Sequence, residues 1–190
     1  MPRILSFANA EFEIPSINHL ELEWAGAAQG ELARQIGFQD QFRQLFRHVF
    51  ESLQSVPSEN PDWNPRPLAF SARAGAIKTY VLLSVSISEG ALAALGEERQ
   101  LGRREGDLFQ KTFGALLTAW EQDGRPRAEI ADIWDDMQLL KRYRNYVHLN
   151  RAAQDEVSWQ GILENERQIL AACDRVVDRL RELCHVFRDP

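Results

Sequence analysis

The residues whose types and spacing could do chemistry fall in one stretch, Lys141-Arg-Tyr-Arg-Asn-Tyr-Val-His-Leu149. Arg144 and His148 are four positions apart, adjacent on one face of a helix and about 40° apart around its axis. A guanidinium one turn away favours the neutral imidazole. A neutral imidazole can act as general base, and a guanidinium can stabilise negative charge developing on a phosphoryl group. Together they suffice for RNA cleavage without a metal, in which the 2′-hydroxyl attacks its own phosphodiester. Asn145 could orient the pair or contact the sugar. Lys141, Arg142, Arg144 and Arg151 lie within eleven residues that contain no Asp or Glu, a local anion-attracting patch that would draw in the strand. Tyr146 could stack on a base, although this spacing also suits packing on a neighbouring helix. No metal or other cofactor is expected.

The bland reading of the same residues is structural. Basic side chains in the last turn of a helix complement its macrodipole and satisfy its free carbonyls. Glu89, set among apolar neighbours in an earlier helix, then reads as the ion-pair partner of Arg144.

The elements that must position these residues follow from hydrophobic periodicity. A helix from about Glu129 to His148 places Ile130, Ile133, Met137, Leu140 and Val147 on one face, with Arg144 and His148 inside that stripe. Upstream, Ser16 is an N-cap for a helix running through Leu20, Trp24 and Ala27 towards Ile36. The 3-and-4 spacing of Phe38, Phe42, Leu45, Phe46, Val49, Phe50 and Leu53 predicts an amphipathic helix, with Gly37 a break or a soft spot between the two. Residues 57 to 67 hold four prolines and read as a surface loop. A long helix is expected from Leu68 to Leu95, stopped by Gly96. One of its sides is small (Ala72, Ala76, Thr79, Ser86, Gly90), which permits close approach of another helix. The other carries Val81, Leu82, Val85 and Leu92. Asp107 is expected to cap a helix whose apolar positions are Phe109, Phe113, Leu116, Leu117 and Trp120. A polar loop over 150–158 leads to a final helix from about Trp159 to Phe187. Residues 1–15 read as an extended arm or small hairpin, and no strand pattern of usable length follows. The expectation is all-α: one compact bundle of five or six helices with a short N-terminal extended arm, spanning residues 1–190 as a single domain.

Composition bounds the partners. With 190 residues, 44% hydrophobic and 26% charged, the chain has ordinary globular composition. A net charge of −6 argues against nonspecific coating of nucleic acid but permits a local basic site. Cys173 and Cys184 share a helical face about 16 Å apart, too far to bridge, and read as reduced core thiols. The apolar run Thr79–Leu95 is interrupted by Ser84, Ser86, Ser88 and Glu89, so no membrane span is expected, and the N-terminus lacks a secretory pattern. The cytoplasm is the expected location.

The string Leu140-Lys-Arg-Tyr-Arg-Asn-Tyr-Val-His148, late in a helical chain and followed by a loop and one more long helix, resembles the signature of the HEPN superfamily (higher eukaryotes and prokaryotes nucleotide-binding). The hallmark of that family is an Arg followed by a polar residue such as Asn, then four to six residues and a His. Arg144-Asn145 supplies the dipeptide but only three residues separate Arg144 from His148, whereas Arg142 has five residues between but is followed by Tyr143. Arg144 is therefore the first choice and Arg142 the alternate. The acidic Glu89 in an earlier helix is similar to what several such families carry. The resemblance implies a compact helical homodimer, an RNA substrate, a metal-independent endoribonuclease of toxin or defence type, and an antitoxin as partner. The alternatives are a non-catalytic module of the same kind that binds a nucleotide or a protein, and a plain helical interaction bundle.

Overall fold

The structure, a computed structural model, describes residues 3–7, 13, 15–57, 66–67, 70–101, 107–122, 128–145 and 159–186. Among these, seven α-helices form an all-α bundle: α1 (Ile17–Trp24), α2 (Glu31–Ser52), α3 (Phe70–Glu98), α4 (Phe113–Gln122), α5 (Trp134–Asn145), α6 (Trp159–Glu164) and α7 (Glu166–Val186). Short 3-10 turns at Leu108–Gln110 and Ala131–Ile133 lead into α4 and α5.

The helix count exceeds the expected five or six because the last expected helix is divided in two, while the break between the first two falls earlier than Gly37. The first breaks at residues 25–30, where Gly30 takes a φ of 55° that an L side chain resists, and Gly37 lies buried within α2. The last splits at Asn165, whose side-chain amide donates to the Gly161 carbonyl at 2.7 Å. The Ser16 cap is present: its Oγ accepts from the His19 N–H at 3.2 Å. At the turn after α1, a Cβ added to Gly26 would fall 1.5 Å from the Cys184 carbonyl oxygen of α7. Backbone packs on backbone there. Gly26→Ala is expected to destabilise the fold by about 3 kcal/mol, the upper end of ordinary overpacking, measured by urea denaturation.

Three other expectations need correcting. Strands do occur after residue 15: Leu53–Pro57 (β2) pairs antiparallel with both Arg3–Phe7 (β1) and Arg66–Pro67 (β3), in the order β1-β2-β3. The register sets Arg3 against Pro57 and Phe7 against Leu53. The N-terminal arm is thus a strand held by residues some fifty positions away, and the strands are too short to show alternation. The Pro-rich loop is bracketed by β2 and β3, and residues 58–65 lie outside the described residues. Gly96 does not stop α3, which runs to Glu98. The stop is a Schellman arrangement with Gln100 at φ 58°, in which Leu101 N–H donates to Gly96 O at 3.0 Å and Gln100 N–H to Glu97 O at 2.9 Å. Nor do all apolar stripes face inward: Phe38, Phe42, Leu82 and Phe109 are exposed. On the small side of α3, Ala72, Thr79 and Ser86 are exposed, and Gly90 packs against Ile36 of α2.

The core centres on α3, which packs against α2, α4, α5 and α7. Ile77, Val81, Val85, Leu92 and Leu95 of α3 meet Phe113, Trp120, Met137, Leu140, Val176 and Leu180. Trp120 keeps its indole N–H satisfied on the Leu92 carbonyl at 3.2 Å. Among the described residues one helix, Ser71–Glu98, is long and apolar enough to cross a membrane; its most apolar window has mean hydropathy 1.4, and 67% of that window is buried within the bundle. Cys173 and Cys184 are free and buried in the core, and burial pushes both thiols up to about 12. Neither should react with a thiol reagent at pH 8 in the folded protein; both should react once it is unfolded, which titration with and without denaturant would check.

Candidate functional site

The site is built where the end of α5 meets the start of α4. Burial of Trp134, Met137 and Leu140 fixes the rotation of α5 against α3 and α7. Two ion pairs reinforce it: Arg175 of α7 grips Asp136 through two bonds of 2.7 Å, and Arg179 meets Asp132 at 3.1 Å. That rotation turns Lys141, Arg144 and Asn145 towards α4 and leaves Arg142 exposed on another side. Two residues apart on a helix means about 200° of rotation, so Arg142 and Arg144 cannot share a face.

The three polar side chains line one cleft of about 340 Å³ with Thr112, Phe113, Gly114, Ala115 and Thr118. The α4 part of this wall is the first turn of a ten-residue helix, whose N–H groups and dipole favour negative charge. Lys141 crosses directly over Gly114; a Cβ there would sit 3.2 Å from its Cε.

Glu89 of α3 closes the back of the site. Its Oε1 accepts the Phe113 N–H at 2.6 Å and stands 4.0 Å from Arg144 Nη2. One carboxylate oxygen thus caps α4 and faces the arginine. The cap expected from Asp107 is supplied by Glu89 instead: Asp107 makes no side-chain capping bond and precedes only the 3-10 turn. Arg144 and Glu89 are each about a third exposed, at 34% and 31%.

Of the residues singled out in the sequence, the fold brings together Arg144, Asn145, Lys141 and Glu89. Arg142 is set apart. Tyr146, His148 and Arg151 lie outside the described residues, as does Val147. The α4 contribution was missed, although Thr112-Phe113-Gly114 carries the small and hydroxyl residues of a helix start. Among the described residues no cluster of three or more His, Cys, Asp or Glu is placed to hold a metal.

A second polar cluster, also missed, lies on the opposite flank of α3. Asp40 of α2 is fully buried and accepts from Trp24 Nε1 at 3.2 Å, Arg43 Nε at 3.2 Å, Gln44 at 3.3 Å and Arg181 Nη2 at 2.7 Å. Arg43, also buried, donates through Nη1 to the Tyr80 hydroxyl at 2.5 Å and to Asp174 Oδ1 at 2.8 Å. Burial works to raise the Asp40 carboxyl, but Arg43 and Arg181 outweigh it and hold it below its ordinary value. The signal available in the sequence was Asp40 and Arg43 falling three apart within an otherwise apolar stripe.

Comparison with known protein families, curated proteins and solved structures finds no match for this chain.

Proposed function

We propose that the protein is a metal-independent endoribonuclease of HEPN type, with Arg144 holding the scissile phosphate and His148 acting as general base or acid. The observation that carries the reading is the convergence of Lys141, Arg144 and Asn145 on one cleft at a helix N-terminus, with Glu89 against Arg144. Two side-chain cations and an N-terminal dipole suit a phosphodiester oxyanion. The resemblance of the Arg144–His148 string adds the imidazole that such a site requires. In this reading Glu89 holds the guanidinium in place until the phosphate displaces it as the closer anion, Lys141 and Arg151 draw in the strand, Tyr146 stacks on a base and Arg142 is the alternate arginine. The working form is a homodimer in the cytoplasm, a toxin or defence effector controlled by an antitoxin.

The test is incubation of the purified protein and its Arg144→Ala/His148→Ala variant with total RNA and short oligonucleotides in EDTA, with fold and oligomeric state checked for both. The expected result is cleavage by the parent alone, leaving 2′,3′-cyclic phosphate ends. Equal cleavage by both proteins, or dependence on a divalent cation, would overturn the mechanism.

One observation favours a second reading. The Arg144–Glu89 pair and the Glu89 cap on α4 are also what a plain interaction bundle or a non-catalytic binding module would use to join α3, α4 and α5. That reading predicts a folded protein with no turnover.

A further inference from the structure

The flank of the bundle formed by α2, α3 and α7 opens into a cavity of about 350 Å³ that shares no lining residue with the α4–α5 cleft. This volume lies at the lower end of the range for small-molecule sites, roughly 300–1,000 Å³. Its walls include Arg47, His48, Glu51, Tyr80, Asp174 and Asp178, with Arg43 and Arg181 behind them.

Charge decides what such a cavity could take. Three arginines (Arg43, Arg47, Arg181) face four carboxylates (Asp40, Glu51, Asp174, Asp178), counting the buried Asp40 at the base of the network. A simple anion meets the carboxylates and a simple cation meets the guanidiniums. A ligand carrying both signs close together is opposed by neither.

The unmet hydrogen-bonding capacity has the same bipolar form. Arg47 Nε is taken by Glu51 Oε1 at 2.6 Å, and its guanidinium lies over the Tyr80 ring at 5.2 Å and the Phe50 ring at 5.8 Å. Its Nη1 is buried and has no hydrogen-bond acceptor. A buried donor left unmatched costs about 1–3 kcal/mol, and Nη1 itself lies out of a ligand's reach; what faces the cavity is the remainder of the Arg47 side chain, which is 25% exposed. Beside it, Asp174 commits Oδ1 to Arg43 and to the Tyr80 hydroxyl, while Oδ2 stands 3.7 Å from Arg47 Nη1, beyond hydrogen-bonding distance. Asp178, half exposed at 55%, accepts only from Arg181, at 3.2 Å, among the described residues. The cavity therefore presents a partly exposed arginine side chain next to carboxylate oxygens with acceptor capacity to spare, over an aromatic wall.

We infer that this cavity is a binding site for a small zwitterion of the α-amino acid class, its carboxylate pairing with the Arg47 guanidinium and its ammonium donating to Asp174 Oδ2 and Asp178. The inference stands independently of the ribonuclease reading.

The test is thermal shift and calorimetry on the full chain with each standard L-amino acid as probe, beside acetate and methylammonium as the two halves and inorganic phosphate as a simple anion. At least one amino acid should raise Tm by about 3–5 °C at tenfold above its Kd, with neither half nor phosphate doing so. Arg47→Gln should weaken binding by about tenfold or more. Asp178→Asn should do the same, and because that side chain is half exposed the variant keeps its fold. No shift with any amino acid, an equal shift with acetate or phosphate alone, or unchanged affinity in Asp178→Asn would each overturn the proposal.

Discussion

Asp40→Ala should lower stability by about 3–5 kcal/mol and Tm by roughly 8–15 °C. The carboxylate is fully buried, and its removal strands four donors at once: the Arg43 Nε, the Trp24 indole N–H, the Gln44 amide and the Arg181 Nη2. Arg43 suffers most, because it is itself buried and the other carboxylate it reaches, Asp174, is shared with Tyr80. Desolvated charge left without its partner accounts for most of the cost; the net worth of the pair is smaller. A double variant, Asp40→Leu/Arg43→Met, removes both charges and should therefore be more stable than Asp40→Ala alone. Greater instability of the double variant would sink this account of the network.

The same residue sets an acid limit. The folded-state value for Asp40 lies below its unfolded value, so its contribution is fully present above the ordinary carboxylate range and is lost as pH falls through the folded value. Asp178 acts in the opposite sense, since burial pushes its carboxyl up and disfavours its charged form in the fold. Asp40→Asn should be less stable than the parent at neutral pH, and the gap should narrow as pH falls below about 4. Urea midpoints across that range would measure it.

What could be read in the sequence, and what could not, divides by range of interaction. The stretch through α5 and the helix α7 were legible because burial of Ile130, Ile133, Met137, Leu140, Cys173, Val177 and Leu180 repeats at 3-and-4 spacing, although the part expected to be helical from Glu129 includes a 3-10 turn at Ala131–Ile133 before α5 begins at Trp134. The sheet was not legible, because β1 finds its partner about fifty residues away and no local pattern encodes that. Gly96 misled because a glycine near a helix end reads as a stop, whereas here it lies buried within the helix under Leu108 and a non-glycine residue takes the left-handed cap. Phe38 and Phe42 misled in the other direction: the stripe predicted burial, yet the inward face of α2 there is given to Asp40 and Arg43. At the candidate site, α5 periodicity alone separated Arg144 from Arg142. The contributions of Thr112, Gly114 and Thr118 required knowing that α4 begins beside the end of α5, which is a tertiary fact.

Arg144→Ala should reduce RNA cleavage by about 10²–10³-fold while changing stability by no more than about 1 kcal/mol. The two numbers separate the catalytic reading from the structural one. Arg144 and Glu89 are each about a third exposed and 4.0 Å apart, so the pair is solvent-screened and its loss is cheap. A phosphoryl oxygen in the cleft would instead meet the guanidinium at closer range, with the first turn of α4 on its other side, where charge developing in the transition state is worth more than a screened ground-state pair. Arg144→Lys keeps the charge but loses the bidentate fork and should recover only part of the rate. Lys141→Ala, which removes a cation from the cleft wall without touching the Glu89 contact, should chiefly weaken RNA binding and flatten its salt dependence. Single-turnover rates and binding across a salt series, on variants matched for urea midpoint, read these effects separately. A stability loss of several kcal/mol for Arg144→Ala, with cleavage per folded molecule unchanged, would return Arg144 to the role of a strut between α3 and α5.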